Sequence, residues 1–323
     1  MKRKNVLLLG LLVVILAFLL VACDPGGDGS SGGMTWIAVA DSTFEEYIDI
    51  RSIAYGNGRF VVGGQQGRMA WSTDGVSWTA VADSTFDYTS IFDIAYGNGR
   101  FVAGGAGSAR AWSTDGVNWT EVDGTTFEGY HINSIAYGND RFVAGGGDII
   151  AWSTNGASWT KVENTTFGTN FYSHISSIAY GNGRFVAGGN ISNDITHMAW
   201  STDGVNWNAG ADSIFDYGIN DIAYGNGIFV ASGDSGKMAW STDGVSWTAV
   251  ADSPLGTHSI AYGNDRFVAG AAWGAMAWST NGVNWTRTEV SELLYFVGVY
   301  DIAYGNNRFV AVGGRGTIAY SLN

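Results

Sequence analysis

Four arginines stand out in a chain in which charged residues make up only 14%: Arg51, Arg68, Arg110 and Arg315. Guanidiniums brought together clamp a carboxylate through paired N–H donors. Glu45, Glu46 and Asp49 lie close by in sequence and offer local ion pairs as the alternative use. A second set is His131, His174 and His197. Three imidazoles can hold zinc, but this spacing is not that of a metal site. Exposed loop histidines are the reading taken, with no metal and no cofactor expected. A third set is aromatic: Tyr47, Tyr88, Phe92, Tyr130, Phe171, Tyr172, Tyr217, Trp273, Tyr295 and Tyr300. Such rings, apolar with a polar tip, favour protein interfaces. Half or more of them can equally pack inward, because they adjoin the starts of strands. No glycine-rich run precedes a helix that would receive a phosphate, and no serine sits in a nucleophile elbow.

The elements that position these residues are repeats. The segment IAYGN begins at Ile53, Ile94, Ile135, Ile178, Ile222 and Ile260, and the seventh copy begins at Ile302. The spacings are 41, 41, 43, 44, 38 and 42 residues, the period of a four-stranded propeller blade. Each unit reads as four strands, a to d. Strand a ends in IAYG, and a pair such as Asn57-Gly58 turns the chain into strand b, RFVAGG. That pair tolerates the positive φ of a two-residue hairpin turn. Strand c is MAWST, and Asp74-Gly75 or its equivalent leads into strand d, VSWTAV. Small Ala and Gly on strand a are expected at the crowded axis, and Trp78, Trp119 and Trp159 on strand d where the blades diverge. The arginines that begin strand b (Arg59, Arg100, Arg141, Arg184, Arg266 and Arg308) share one position and read as structural or solvated.

The chain opens the repeat with a lone strand d, Trp36 to Val39, and stops after strand c of the seventh unit at Ala319 to Asn323. An open solenoid needs caps at both ends, and none is visible. The two fragments complete one another. The expected fold is therefore all-β: a seven-bladed β-propeller of four-stranded blades, closed by an N-terminal strand that completes the last blade.

STDGVSW, Ser72 to Trp78, recurs five times and resembles the Asp-box of BNR-type propellers. The loop is one residue shorter than the usual box, and Asn155 and Asn281 replace its aspartate. The resemblance implies a structural box at the c–d hairpin. Asp74, Asp115, Asn155, Asp203, Asp243 and Asn281 are then expected to bond their own turn backbone, not to act as catalysts. Sialidases carry the same box with an arginine triad. That invites a glycan-processing alternative, although their acid, tyrosine pair and triad do not map onto this chain residue by residue.

Strands of a blade alternate in direction, so the a–b and c–d turns share one face and the d–a and b–c loops the other. The first set is nearly identical from copy to copy; the second varies. Ligands are usually taken by variable loops on a rigid scaffold. The candidate ligand-binding residues are Tyr47, Arg51, Arg68, Tyr88, Arg110, Tyr130, His131, Tyr172, His174, Tyr217, Trp273, Tyr295 and Arg315.

The N-terminus carries Lys2, Arg3 and Lys4, then an apolar run from Val6 to Ala22. This reads as an export signal. Its end, Leu20-Val21-Ala22-Cys23, resembles the bacterial lipobox and holds the one cysteine of the chain. The resemblance implies cleavage before Cys23 and acylation of it, and two or more acyl chains anchor stably. The expected organisation is a signal peptide over 1–22, a lipidated cysteine and Gly/Ser tether over 23–34, and the propeller over 35–323. The tether reaches on the order of 15–20 Å r.m.s.. Net charge is −13, and loss of the leader removes three further positive charges. Such acidity disfavours nucleic acid and electrostatic docking on anionic lipid. The expected protein is a monomeric lipoprotein of the bacterial cell envelope that binds a protein or glycan without catalysis. A sialidase-like enzyme and a purely structural envelope protein are the alternatives.

Overall fold

The computed structural model describes residues 33–163, 174–190, 198–210, 214–215, 218–254, 256–288 and 298–322. The chain divides into two units, Met1–Gly32 and Gly33–Asn323. The second unit is a β-propeller of seven four-stranded antiparallel sheets. In the first blade strands a to d are Ile50–Gly56, Arg59–Gly64, Met69–Ser72 and Thr79–Ala80. Strand d is only two or three residues long in the first six blades and four in the seventh.

Thr35–Ala38 completes the seventh blade against Ile318–Leu322, with Trp36 opposite Ser321 and Ala38 opposite Ala319. Val39 N–H extends the ladder to the Ile318 carbonyl at 2.8 Å. Trp36 is buried against Ala261, Val268 and Met276 of the sixth blade. The first residues of the unit are thus interblade core, and ring closure is antiparallel pairing across the whole length of the unit.

Two repeated contacts build the wall between blades. The phenylalanine of strand b (Phe60, Phe101, Phe142 and their equivalents) is wholly buried and lies 4.7 to 4.8 Å from the tyrosine of its own strand a. Burying such a ring contributes roughly 1.5–3 kcal/mol. The glycine that ends strand a takes the next blade's tyrosine flat against its backbone. A Cβ on Gly56 would stand 2.0 Å from Tyr96, and one on Gly305 2.1 Å from Tyr55, so this contact runs round the circle and closes on itself.

The strand-b arginines stack on the strand-c aromatic of their own blade. Arg59 lies 4.7 Å over Trp71 and Arg100 4.2 Å over Trp112. Their guanidiniums also donate to the next blade's c–d turn, Arg59 to the Asp115 carbonyl at 2.7 Å and Arg100 to that of Asn155 at 2.6 Å. Cation–π contacts at such half-exposed sites contribute about 0.5–1 kcal/mol. Strand-d Trp78 fills the gap to the preceding blade with Val310, Val312 and Ile318. The axis differs from the apolar, small-residue lining expected. Ser and Asp side chains line it, and the glycines of strand a are used between blades.

Candidate functional site

The c–d turns carry one hydrogen-bond pattern. Asp74 Oδ1 accepts from the N–H groups of Val76 and Ser77, both at 2.8 Å, and from Ser72 Oγ at 2.9 Å. Asp115, Asp203 and Asp243 repeat it, and Asn155 and Asn281 do so through their amide oxygen. Burial raises the Asp203 carboxyl, but donors from Asn206, Val205 and Ser201 outweigh it and bring it down to about 2. These oxygens are spent on the loop itself.

The opposite face holds a different arrangement at the start of strand a. A β-bulge there sets two residues of strand a against one of strand b, as between Ile50 and Ser52 and between Ile91 and Asp93. In an unbulged strand neighbouring side chains point to opposite faces; a bulge re-aims one of them. Both residues of each such pair consequently face the axis, in two stacked tiers.

The deeper tier is Ser52, Asp93, Ser134, Ser177, Asp221, Ser259 and Asp301, one per blade. Most of these side chains bond the backbone N–H of the isoleucine that follows the same position in the next blade. Asp301 accepts from Ile53 at 2.8 Å, Ser52 from Ile94 at 3.0 Å, and Asp93 from Ile135. Ser134 accepts from Ile178 at 2.9 Å, Ser177 from Ile222 at 3.0 Å and Asp221 from Ile260 at 2.7 Å. The three carboxylates also bond their hydroxyl neighbours: Ser52 donates to Asp93, Ser177 to Asp221 and Ser259 to Asp301. The tier is a belt that ties blade to blade. Each carboxylate borders the channel yet is ringed by protein. Burial pushes Asp301 up to about 8, with the charge of Asp93 adding to it. Burial likewise lifts Asp93 to about 6 against the pull of Ile135, Ser52 and Ile94, and raises Asp221.

The upper tier is Arg51, Phe92, Asn133, Ser176, Asn220, His258 and Tyr300, seven residues with little repetition. Three of them are committed to the next blade: Asn133 Nδ2 donates to the Ile175 carbonyl at 3.0 Å, Asn220 Nδ2 to that of Thr257 at 3.2 Å, and Ser176 Oγ to that of Ile219. Burial lowers the pKa of His258, with Asp234 opposing. The channel encloses about 110 Å³. Above it opens a cavity of about 360 Å³ lined by Arg51, Phe92, His131, Asn133 and Tyr300. Arg51 lies 5.5 Å over the Phe92 ring, and His131 meets that ring edge-on at 5.5 Å.

The residues expected from sequence divide sharply. Arg51 and His131, with Phe92 and Tyr300, line this mouth. Arg110 does not: it is 3% exposed, donates to the carbonyls of Ser108, Asp123 and Gly124, and lies over Phe127. Its place in strand c is taken by Met69, Met198, Met238 or Met276 in other blades. It is a buried core cation. Arg68 pairs with Glu45 at 3.4 Å on the surface, an interaction contributing about 0–1 kcal/mol. Arg315 is exposed on the b–c turn of blade seven, its N–H on Asp49. Arg51 is thus alone among the four in lining the cavities. Tyr88 (87% exposed), Trp273 (71%) and Tyr47 stand on the outer rim, and Tyr130 lies against Gly147. His174 is exposed at the start of strand a in blade four. Among the described residues no three His, Cys, Asp or Glu are grouped as a metal site. Cys23, Phe171, Tyr172, His197, Tyr217 and Tyr295 lie outside the described residues.

No protein-family model matches the chain, and no curated protein sequence matches it. Solved structures do match. YCF48 from Cyanidioschyzon merolae is 17% identical with a TM-score of 0.68, over 88% of this chain and 98% of that one. YCF48 bound to D1 peptide is 14% identical with a TM-score of 0.68, over 93% and 97%. A catalytically inactive virginiamycin B lyase from Staphylococcus aureus with quinupristin is 10% identical with a TM-score of 0.72, over 90% and 99%. These likenesses are of fold.

Proposed function

We propose that the protein is a membrane-tethered, non-enzymatic propeller lipoprotein that binds a protein partner over the face carrying the d–a and b–c loops. The observation that carries this reading is the contrast between the two axial tiers. The deeper tier is uniform and consumed in joining blades; the upper tier varies from blade to blade, borders open cavities and keeps Arg51, Phe92 and Tyr300 uncommitted to the ring. Variation at a geometrically repeated position is what recognition of one ligand by a symmetric scaffold requires.

Strand d runs from the c–d turn toward the d–a loop, so the chain enters the propeller at Thr35 on the face opposite the mouth. The lipobox-like context of Cys23 is what supports the tether. The Asp-box resemblance fits the hydrogen-bonded c–d turns and their scaffold role. The axial carboxylates are the obvious acid–base candidates, but their oxygens accept backbone N–H groups around the belt, which supports binding over catalysis. The peptide carried by YCF48 in its solved complex is support by analogy of fold alone.

A protein and glycan array probed with the full-length chain in detergent tests this. Replacing Phe92 and Tyr300 by Ala is expected to abolish the binding signal, while replacing Tyr47, Tyr88 and Trp273 by Ala leaves it. The reverse pattern contradicts the axial placement. Signals confined to glycans, or turnover of a sialoside, contradict the protein-partner reading.

A further inference from the structure

We propose that the cavity over Arg51 is a carboxylate-binding subsite that takes the free C-terminus of a partner peptide. The inference rests on the binding reading above and names the chemistry of the ligand.

The lining of this cavity is rich in donors. The Arg51 side chain lines the cavity and is 40% exposed. Its nearest carboxylate is Asp49, at 4.0 Å from the terminal nitrogen. Asp49 already accepts from Gln65 Nε2 at 3.2 Å and from the Arg315 N–H at 3.2 Å. The guanidinium is therefore weakly neutralised, and the face of Phe92 holds it in place. His131 Nδ1 accepts the Gly107 N–H at 3.0 Å. A neutral imidazole so engaged carries its proton on Nε2, as a second donor. The Tyr300 hydroxyl, with no bond to any described residue, is a third. One Asn133 amide N–H goes to the Ile175 carbonyl, and its oxygen is the acceptor among these groups.

Three donors, one of them a fixed cation, call for an anion with several lone pairs. A carboxylate meets Arg in a paired geometry that is stronger than neutral hydrogen bonds. The aromatic walls of Phe92 and Tyr300 suit an apolar terminal side chain, and the Asn133 oxygen suits one backbone N–H. A sugar acid would bring a ring of hydroxyls needing more acceptors than this lining offers. The belt carboxylates beneath are not ion-pair partners of Arg51: among the described residues only Asp49 comes within 4.0 Å of the guanidinium, and Asp301, raised by burial, keeps its proton at neutral pH.

The test uses the full-length chain in detergent micelles and an array of short peptides, each made as the free acid and as the C-terminal amide. The best free acids are expected to weaken about 10- to 100-fold on amidation, the loss of a hydrogen bond to a charged group. Arg51→Gln is expected to weaken the free acids equally and the amides not at all. Arg68→Gln, on the rim, leaves both unchanged. Equal binding of acid and amide overturns the proposal but leaves the axial binding face standing, provided Phe92→Ala still abolishes binding. This comparison needs wild-type protein alone, so it decides even if Arg51→Gln folds poorly. Arg51-dependent binding of N-acetylneuraminate or glucuronate without any peptide binding overturns the peptide assignment. An array with no binder overturns both the subsite and the protein-binding reading.

Discussion

Replacing Asp301 by Asn is expected to reverse the order of stability between variant and wild type as pH rises. In the folded chain the Asp301 carboxyl sits at about 8, against an ordinary 3.8. Below about pH 4 it is protonated whether the chain is folded or not, and it carries no penalty. As pH rises the unfolded chain releases this proton first, so the folded state binds more protons and stability falls until about pH 8, then levels. The interval corresponds to on the order of 5 kcal/mol, shared with Asp93 and Asp221 because the three titrate as a coupled set. Asn removes that penalty. It also replaces one accepting oxygen by a donor, and the Ile53 or Ile302 N–H then loses its partner, at a cost of about 1–3 kcal/mol. The variant is therefore expected to melt below wild type at pH 4.5 and above it at pH 9. At about 2 °C per kcal/mol for a domain of this size, the two melting curves should cross and separate by several degrees at each end. Tryptophan-fluorescence melts across this pH range provide the assay. A constant offset between the two proteins at every pH refutes the claim that buried, mutually repelling carboxylates form the belt.

Gly138→Ala drives a methyl to within 2.0 Å of the Tyr180 ring. It is expected to destabilise by about 1–3 kcal/mol or more through overpacking, measured by denaturant midpoint, whereas Gly58→Ala, at a turn with open space around it, strains only the local φ. Deleting Trp36–Val39 removes a buried tryptophan and the ladder to Ile318–Leu322. A loss exceeding the roughly 3–5 kcal/mol of a buried Trp alone is expected in the same assay, and an unchanged midpoint would contradict closure by this strand. Cys23→Ala is expected to move the protein from the membrane fraction to the soluble or signal-retained fraction, read by fractionation and by loss of incorporated fatty acid.

The ring was legible because its determinants are local and repeated. Asn-Gly and Asp-Gly turns at fixed offsets mark the blades, and the unpaired Trp36 strand at one end matches the missing strand at the other. The axial mouth was less legible. Each IAYG is preceded by Ser or Asp, a repeated polar position within a strand, yet alternation alone puts Arg51 and Ser52 on opposite faces. The bulge between Ile50 and Ser52 overrides that alternation, and no residue type announces it. The burial of Arg110 was hidden for the opposite reason. Aligned to its repeats it occupies the place of Met69 and Met238, a core position, but its charge suggests a surface. Burial is offset by three carbonyls that only the folded loop at Ser108 and Asp123–Gly124 supplies. Rim aromatics such as Tyr88 and Trp273 are exposed as the loop composition suggests, but they stand apart from the axial cavities.

The central claim is that partners meet the protein at the axial mouth, on the face opposite the one where the chain enters the propeller at Thr35. Photo-crosslinking in intact cells tests it most directly, with a photoreactive residue placed in turn at Phe92, Tyr300, Ser77 and Asn118. Specific adducts from the first two positions, competed by excess unlabelled protein and absent from the c–d turn positions Ser77 and Asn118, are the expected result. Adducts formed from Ser77 or Asn118 and not from Phe92 or Tyr300 would contradict it.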